Sequence, residues 1–118
     1  MILKIGKLFI AAVIFTGISA ISISAFAASG SSLLNSEGCI ACHTIDGNGG
    51  QVGPNLSHIG SQRSLSWIKT QITNPGAHFA SGSAVTIDGK SYMAIMPNHK
   101  DMPASKVNTI ARYLESLK

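Results

Sequence analysis

The chain has 118 residues and a formal net charge of +4, with nine lysines and arginines against five aspartates and glutamates. Two of the lysines, Lys4 and Lys7, sit at the N-terminal end and no basic run occurs elsewhere, which excludes a nucleic-acid partner. The length allows one small domain behind an N-terminal leader.

The basic start "MILKIGK" is followed by the apolar run "LFIAAVIFTGISAISIS" and then "AFAA". That order fits a secretory signal cleaved after Ala25-Phe26-Ala27, which makes residues 1–27 the leader and residues 28–118 the domain. The same residues also fit an uncleaved anchor. No charge appears between Lys7 and Glu37, and residues 8–28 are long enough to cross a hydrocarbon layer of ~30 Å. Ser19, Ser22 and Ser24 dilute the apolar run and favour cleavage. In both cases the basic end stays inside and residues 28–118 are exported, to the periplasm or the outer face of the cytoplasmic membrane. Membrane contact is expected only if the leader is kept.

Beyond the leader the aromatic residues are Trp67, Phe79, Tyr92 and Tyr113. A domain this small with so few large side chains needs a staple or a cofactor to complete its core.

In chain order, "ASGSSLLNS" at 28–36 reads as a flexible lead that turns helical at Ser31 or Ser32, with Leu33 and Leu34 facing inward. Residues 44–62 are rich in glycine and read as loop. "RSLSWIKTQITNP" reads as a helix capped by Ser64, with Leu65, Ile68 and Ile72 on one stripe and Asn74-Pro75-Gly76 as its stop. Trp67 lies off that stripe, so it packs against something else. "AVTIDGKSYM" at 84–93 reads as a small hairpin around Asp88-Gly89, a pair suited to a type I′ turn. The tail "PASKVNTIARYLESLK" is the clearest helix, with Val107, Ile110, Ala111, Leu114 and Leu117 on one face, Tyr113 at its edge and Pro103 in its first turn. The fold class is all-α: helices joined by long glycine-rich loops, with one small β-hairpin.

Both cysteines lie in "GCIACH" at 38–43. A thioredoxin-like dithiol needs a βαβ setting that the chain lacks. A structural zinc ion needs four ligands, and Cys39, Cys42 and His43 supply three at most. A disulfide between positions three apart closes too short a loop to stabilise much. Covalent attachment of haem fits every residue: two thiols one helical turn apart for the two vinyl groups, and a histidine directly behind them for the iron.

From here the chain resembles the small His/Met-ligated cytochromes c of class I, over essentially all of residues 30–118. "LLNSEGCIACH" resembles the family's first helix running into its attachment site, and "GPNL" at 53–56 the loop whose proline carbonyl orients the proximal histidine. "MP" at 96–97 resembles the distal methionine-proline, and "IARYLESLK" the last helix. The resemblance implies one haem c held by Cys39 and Cys42, with iron between His43 and Met96 and Pro54 orienting His43. It also implies that the last helix crosses the first near a small residue, Gly30 or Ser31. Met93 and Met102 are the other methionines in reach of the sixth position. Met102 abuts the last helix and suits core packing, while Met93 ends the hairpin. His58, His78 and His99 read as loop histidines, with His99 the nearest rival to Met96. Arg63, Trp67 and Tyr92 are expected around the haem, as donors to its propionates. The stretch "SGSAVTIDGKSY" departs from the shortest family members, and the extra hairpin is expected to shade a haem edge or meet a partner.

With both axial positions filled by protein, the implied work is one-electron transfer and not enzymatic catalysis. The expected form is an exported monomer that meets redox proteins by transient contact. The alternative is a haem c electron-transfer subunit of a periplasmic oxidoreductase complex, distinguished by copurification with a large partner.

Overall fold

Alanine is the best helix former, and the stretch "AFAASGSSLL" starts the first helix earlier than Ser31. A computed structural model of the chain describes Gly17 and residues 23–118, and in it α1 runs Ile23–Ser36. The expected leader, residues 1–27, lies mostly outside the described residues. Among the described residues no helix is long and apolar enough to cross a membrane. A tight turn of 3-10 helix at Cys39–Ala41 follows α1, entered through Gly38 at φ +78°.

The expected loop 44–62 holds more structure than its composition suggests. Thr44–Ile45 (β1) and Asn48–Gly49 (β2) pair antiparallel, and Ile59–Gln62 (α2) forms a single helical turn. The tetrapeptide Thr-Ile-Asp-Gly at 44–47 recurs at 86–89, and the chain turns the same way at both. Asp46 and Gly47 take φ +49° and +80°, while Asp88 and Gly89 take +51° and +77°, the left-handed pair that a type I′ turn requires. The fold therefore has two strand pairs instead of one, and the second is the expected hairpin. In it Ala84–Ile87 (β3) pairs with Lys90–Met93 (β4), with Val85 opposite Tyr92.

Helix α3 spans Leu65–Thr73, with the Ser64 hydroxyl accepting from the Trp67 N–H at 3.2 Å. Asn74 ends it, and Pro75–Ala77 adds one 3-10 turn. Helix α4 spans Ala104–Ser116; Pro103 stands at its cap, just outside the first turn.

The core is small. Leu34 of α1, Ile45 of β1, Ile68 and Ile72 of α3, and Val107, Ile110, Ala111 and Leu114 of α4 are its buried side chains. Leu33, Leu65 and Leu117 lie partly buried against it. Helices α1 and α4 cross at Gly30, where a methyl group would run into the Tyr113 Cβ and come within 2.7 Å of its Cγ. The crossing is close because one partner has no side chain. Lys106 and Glu37 add an ion pair of 2.9 Å between the start of α4 and the end of α1. Being largely exposed, it contributes about 0–1 kcal/mol.

In an open helix Gly30→Ala would stabilise by about 0.5–1 kcal/mol. Here overpacking against Tyr113 dominates, and the substitution is expected to destabilise by about 1–3 kcal/mol in denaturant unfolding.

Candidate haem-binding site

The turn carrying Cys39, Cys42 and His43 is wrapped by the loop that follows it. Gly50 N–H donates to the Ile40 carbonyl at 2.8 Å, Gly53 N–H to the Cys42 carbonyl at 2.7 Å, and Leu56 N–H to the Thr44 carbonyl at 2.8 Å. The Thr44 hydroxyl donates to the Gly50 carbonyl at 2.7 Å. Two stretches of the chain, residues 40–44 and 50–56, thereby face each other repeatedly, and the glycines let the backbones approach.

His43 is the centre of this arrangement. Its Nδ1 lies 2.7 Å from the Pro54 carbonyl oxygen, which only accepts, so Nδ1 carries the proton and donates. The Nε2 lone pair is left for another partner. Burial lowers the His43 pKa from its ordinary value, with the Pro54 hydrogen bond acting in the opposite sense. The ring is therefore neutral at pH 7, the form that ligates metal. Gly53 packs flat against the imidazole: a Cβ there would stand 2.6 Å from Cε1 and 2.9 Å from Nδ1.

Cys39 and Cys42 are half-buried free thiols. Burial, and then Glu37, push the Cys39 pKa up. A redox dithiol needs the opposite shift, at the N-terminus of a long helix, and Cys39 starts only a 3-10 turn. Among the described residues no three His, Cys, Asp or Glu side chains are grouped to hold a metal ion, which leaves zinc without a ligand set.

A cleft of about 550 Å³ opens between this loop and the hairpin. Thr44, Gln51, Val52, Gly53 and Asn55 line one side, and Lys90, Ser91, Tyr92, Met93 and Ile95 the other. Val52, Met93 and Ile95, each more than half exposed, are the large apolar side chains that solvent reaches most. All three face the cleft, so a planar apolar group seated there would cover them. The volume lies within the ~300–1,000 Å³ of small-molecule sites. The two half-buried thiols, the free Nε2 of a neutral His43 and the close glycine fit a haem; Cys39, Cys42, His43 and Met96 are not among the residues that line the cleft, whose walls mix polar side chains with Val52, Met93 and Ile95.

Beyond the hairpin, residues 94–103 form a strap without regular structure. Ala94 N–H donates to the Ser83 carbonyl at 2.8 Å, and His99 N–H to the Ile72 carbonyl at 3.2 Å. Met96 is half-buried in the strap, its Sδ 3.4 Å from Gln71 Nε2. Met102 packs against the core, as expected, and Met93 lines the cleft. His58 Nδ1 lies 2.7 Å from the Lys118 carbonyl, and His78 Nδ1 lies 2.9 Å from Gln71 Oε1. His99 lines a separate cleft of about 320 Å³ with Glu37, Asp101 and Lys106.

Tyr92 lines the main cleft, but Arg63 and Trp67 do not. The Arg63 guanidinium sits 4.5 Å over the Trp67 ring, and that ring stacks on His78 with centroids 4.2 Å apart and planes 5° from parallel. The partner expected for Trp67 off the core stripe is thus His78, with Phe79 edge-on at 6.3 Å. Sequence reasoning passed over Gln71; its only signal was its place four residues after Trp67 on one face of α3.

The family model for cytochrome c matches residues 27–118. Searches of curated proteins and of solved structures returned no match.

Two outcomes follow from the geometry. Gly53→Ala places a methyl group in the His43 ring and is expected to destabilise by about 1–3 kcal/mol in denaturant unfolding, with a changed visible spectrum in the haem-loaded protein. Because the folded pKa of His43 lies below 6.5, the unfolded chain takes up the proton first as pH falls. Stability is full above that range and is lost as pH drops through the lowered folded value. Denaturant midpoints across this window should show the loss, and it should persist when His58 and His99 are both changed to Gln.

Proposed function

The chain belongs to the cytochrome c family, whose haem is held covalently through the C-x-x-C-H motif that Cys39, Cys42 and His43 supply, and from that premise we propose that it is an exported, monomeric one-electron carrier with His43 and Met96 as the axial ligands. The observation that carries this reading is the 2.7 Å hydrogen bond from His43 Nδ1–H to Pro54, which leaves a neutral Nε2 to ligate.

Each residue then has a defined task. The Cys39 and Cys42 thiols would hold the haem through two thioether bonds to its vinyl groups, an addition that changes no net oxidation state. Pro54 fixes the His43 tautomer and raises its basicity through the shared proton. Gly53 packs against the His43 ring, and residues 50–56 fold back onto the turn that carries it. Met96 would offer a soft thioether to the iron, which would favour the reduced state and raise the potential. Tyr92, which lines the cleft, would donate from its hydroxyl to a propionate. Arg63 and Trp67 hold contacts with each other and, through the Trp67 ring, with His78. The group itself supplies exchange of a single electron between ferric and ferrous iron.

Export rests on the order of basic, apolar and small residues in 1–27. Strand β4 forms a wall of the cleft, so the hairpin is in position to shade the haem edge and meet a redox partner during brief contact.

The reduced protein is expected to show a c-type spectrum, and the oxidised protein a methionine–iron charge-transfer band. Met96→Ala should abolish that band and let carbon monoxide bind the reduced protein, which the parent should not do at neutral pH. Survival of the band would reassign the ligand.

A further inference from the structure

Trp67 and Gln71 stand four residues apart on the flank of α3 beside the core stripe, with Trp67 partly buried against the core. The Asn74-Pro75-Gly76 turn brings the chain back over that face, with His78 N–H and Phe79 N–H both donating to the Pro75 carbonyl at 3.1 Å. His78 therefore reaches both residues at once. It stacks on Trp67, 4.2 Å between centroids, and its Nδ1 lies 2.9 Å from Gln71 Oε1. Phe79 meets the His78 ring edge-on at 6.2 Å.

This contact determines which end of the Gln71 carboxamide faces the strap. The amide oxygen only accepts, so His78 Nδ1–H donates to it in either the singly or the doubly protonated ring. The amide NH2 is then turned to Met96 Sδ at 3.4 Å. The opposite rotamer would set oxygen against sulfur, lone pair against lone pair. Among the three methionines near the cleft and strap, Met96 alone has a side-chain donor on its sulfur among the described residues.

We propose that Gln71 is a positioning residue for Met96, and that His78, clamped by Trp67, is the brace that aims it. The proposal rests on the reading of Met96 as the sixth ligand. A thioether sulfur has two lone pairs. Gln71 N–H occupies one, so only the other would be free to ligate, and the sulfur would be held in one of its two configurations. The same hydrogen bond withdraws electron density from the sulfur. That effect would disfavour the ferric state and raise the potential.

The test uses the haem-loaded protein and its Gln71→Leu, His78→Phe and Met96→Ala variants. The readouts are equilibrium with a fixed redox mediator, the charge-transfer band and the NMR signal of the ligand methionine. Gln71→Leu is expected to shift the equilibrium about three- to tenfold toward oxidised protein, tenfold being about 59 mV for one electron. Its methionine signal should report two interconverting configurations where the parent reports one. His78→Phe keeps an aromatic ring for Trp67 but loses the donor, and should shift the equilibrium in the same direction by less. Should Met96→Ala lose the band while Gln71→Leu and His78→Phe match the parent in potential and methionine signal, the positioning role is overturned and Met96 stands as ligand. A band that survives in Met96→Ala overturns both readings.

Discussion

The 2.7 Å contact between His43 Nδ1 and the Pro54 carbonyl constrains three things together: the tautomer of the ring, its plane, and the path of residues 49–56. For the carbonyl to reach a ring only eleven residues earlier, the loop must double back against the turn that carries the ring. It does so through backbone bonds from Gly50 and Gly53 to the carbonyls of Ile40 and Cys42. A side chain at Gly53 would occupy the space of the imidazole itself. The glycine-rich composition of this stretch is thus a consequence of how close two backbones must come, and the low His43 pKa is a consequence of the burial that results.

The helical core sets where this turn stands. Helix α1 ends at Ser36, three residues before Cys39, and its position is fixed by the Gly30–Tyr113 crossing with α4 and by Leu34 beneath it. Burial of one such leucine contributes roughly 1.5–3 kcal/mol, and eight buried side chains form the core among the described residues. Val52, Met93 and Ile95 are exposed on the cleft wall, where a bound planar group would cover them. The domain is built around an object that its own side chains do not replace, in keeping with the general difficulty of stabilising small cores.

Much of this was legible in the sequence because the chemistry is local. Cys39, Cys42 and His43 are contiguous, Pro54 follows at a short distance, and the stripes of α3 and α4 have the helical period. The Asp88-Gly89 hairpin was legible for the same reason. The pair at 44–49 was not, although Asp46-Gly47 carries the same signal, because its strands are only two residues long and the surrounding glycines read as loop. The early start of α1 was hidden by Gly30, which lowers helix propensity but is required by Tyr113. The contacts of Trp67 with Arg63 and His78 were not legible, because they depend on the turn at Asn74-Pro75-Gly76 and on side-chain packing. Gln71 carried only its spacing from Trp67 as a local signal: the contacts of its side chain are to a histidine seven residues later and a methionine twenty-five residues later.

The two sides of the site differ in how they are held. On the His43 side, backbone bonds recur from Thr44 to Leu56, so loosening one leaves the others. On the Met96 side, the strap has no partner strand and is tied by Ser83 to Ala94 at one end and Ile72 to His99 at the other. Local opening draws on the elements with the fewest buried contacts, which makes the strap the cheaper side to open. Under the proposed ligation, electron transfer needs His43 and Met96 equally still, since rearrangement at either one slows exchange. The Gln71–Met96 contact lies between the strap's backbone ties at Ala94 and His99, and a side-chain hydrogen bond from a helix is the kind of support that such a segment lacks. The brace from His78 and Trp67 then makes sense as a means of holding a flexible glutamine still, because an unrestrained amide would pass its freedom to the sulfur it supports.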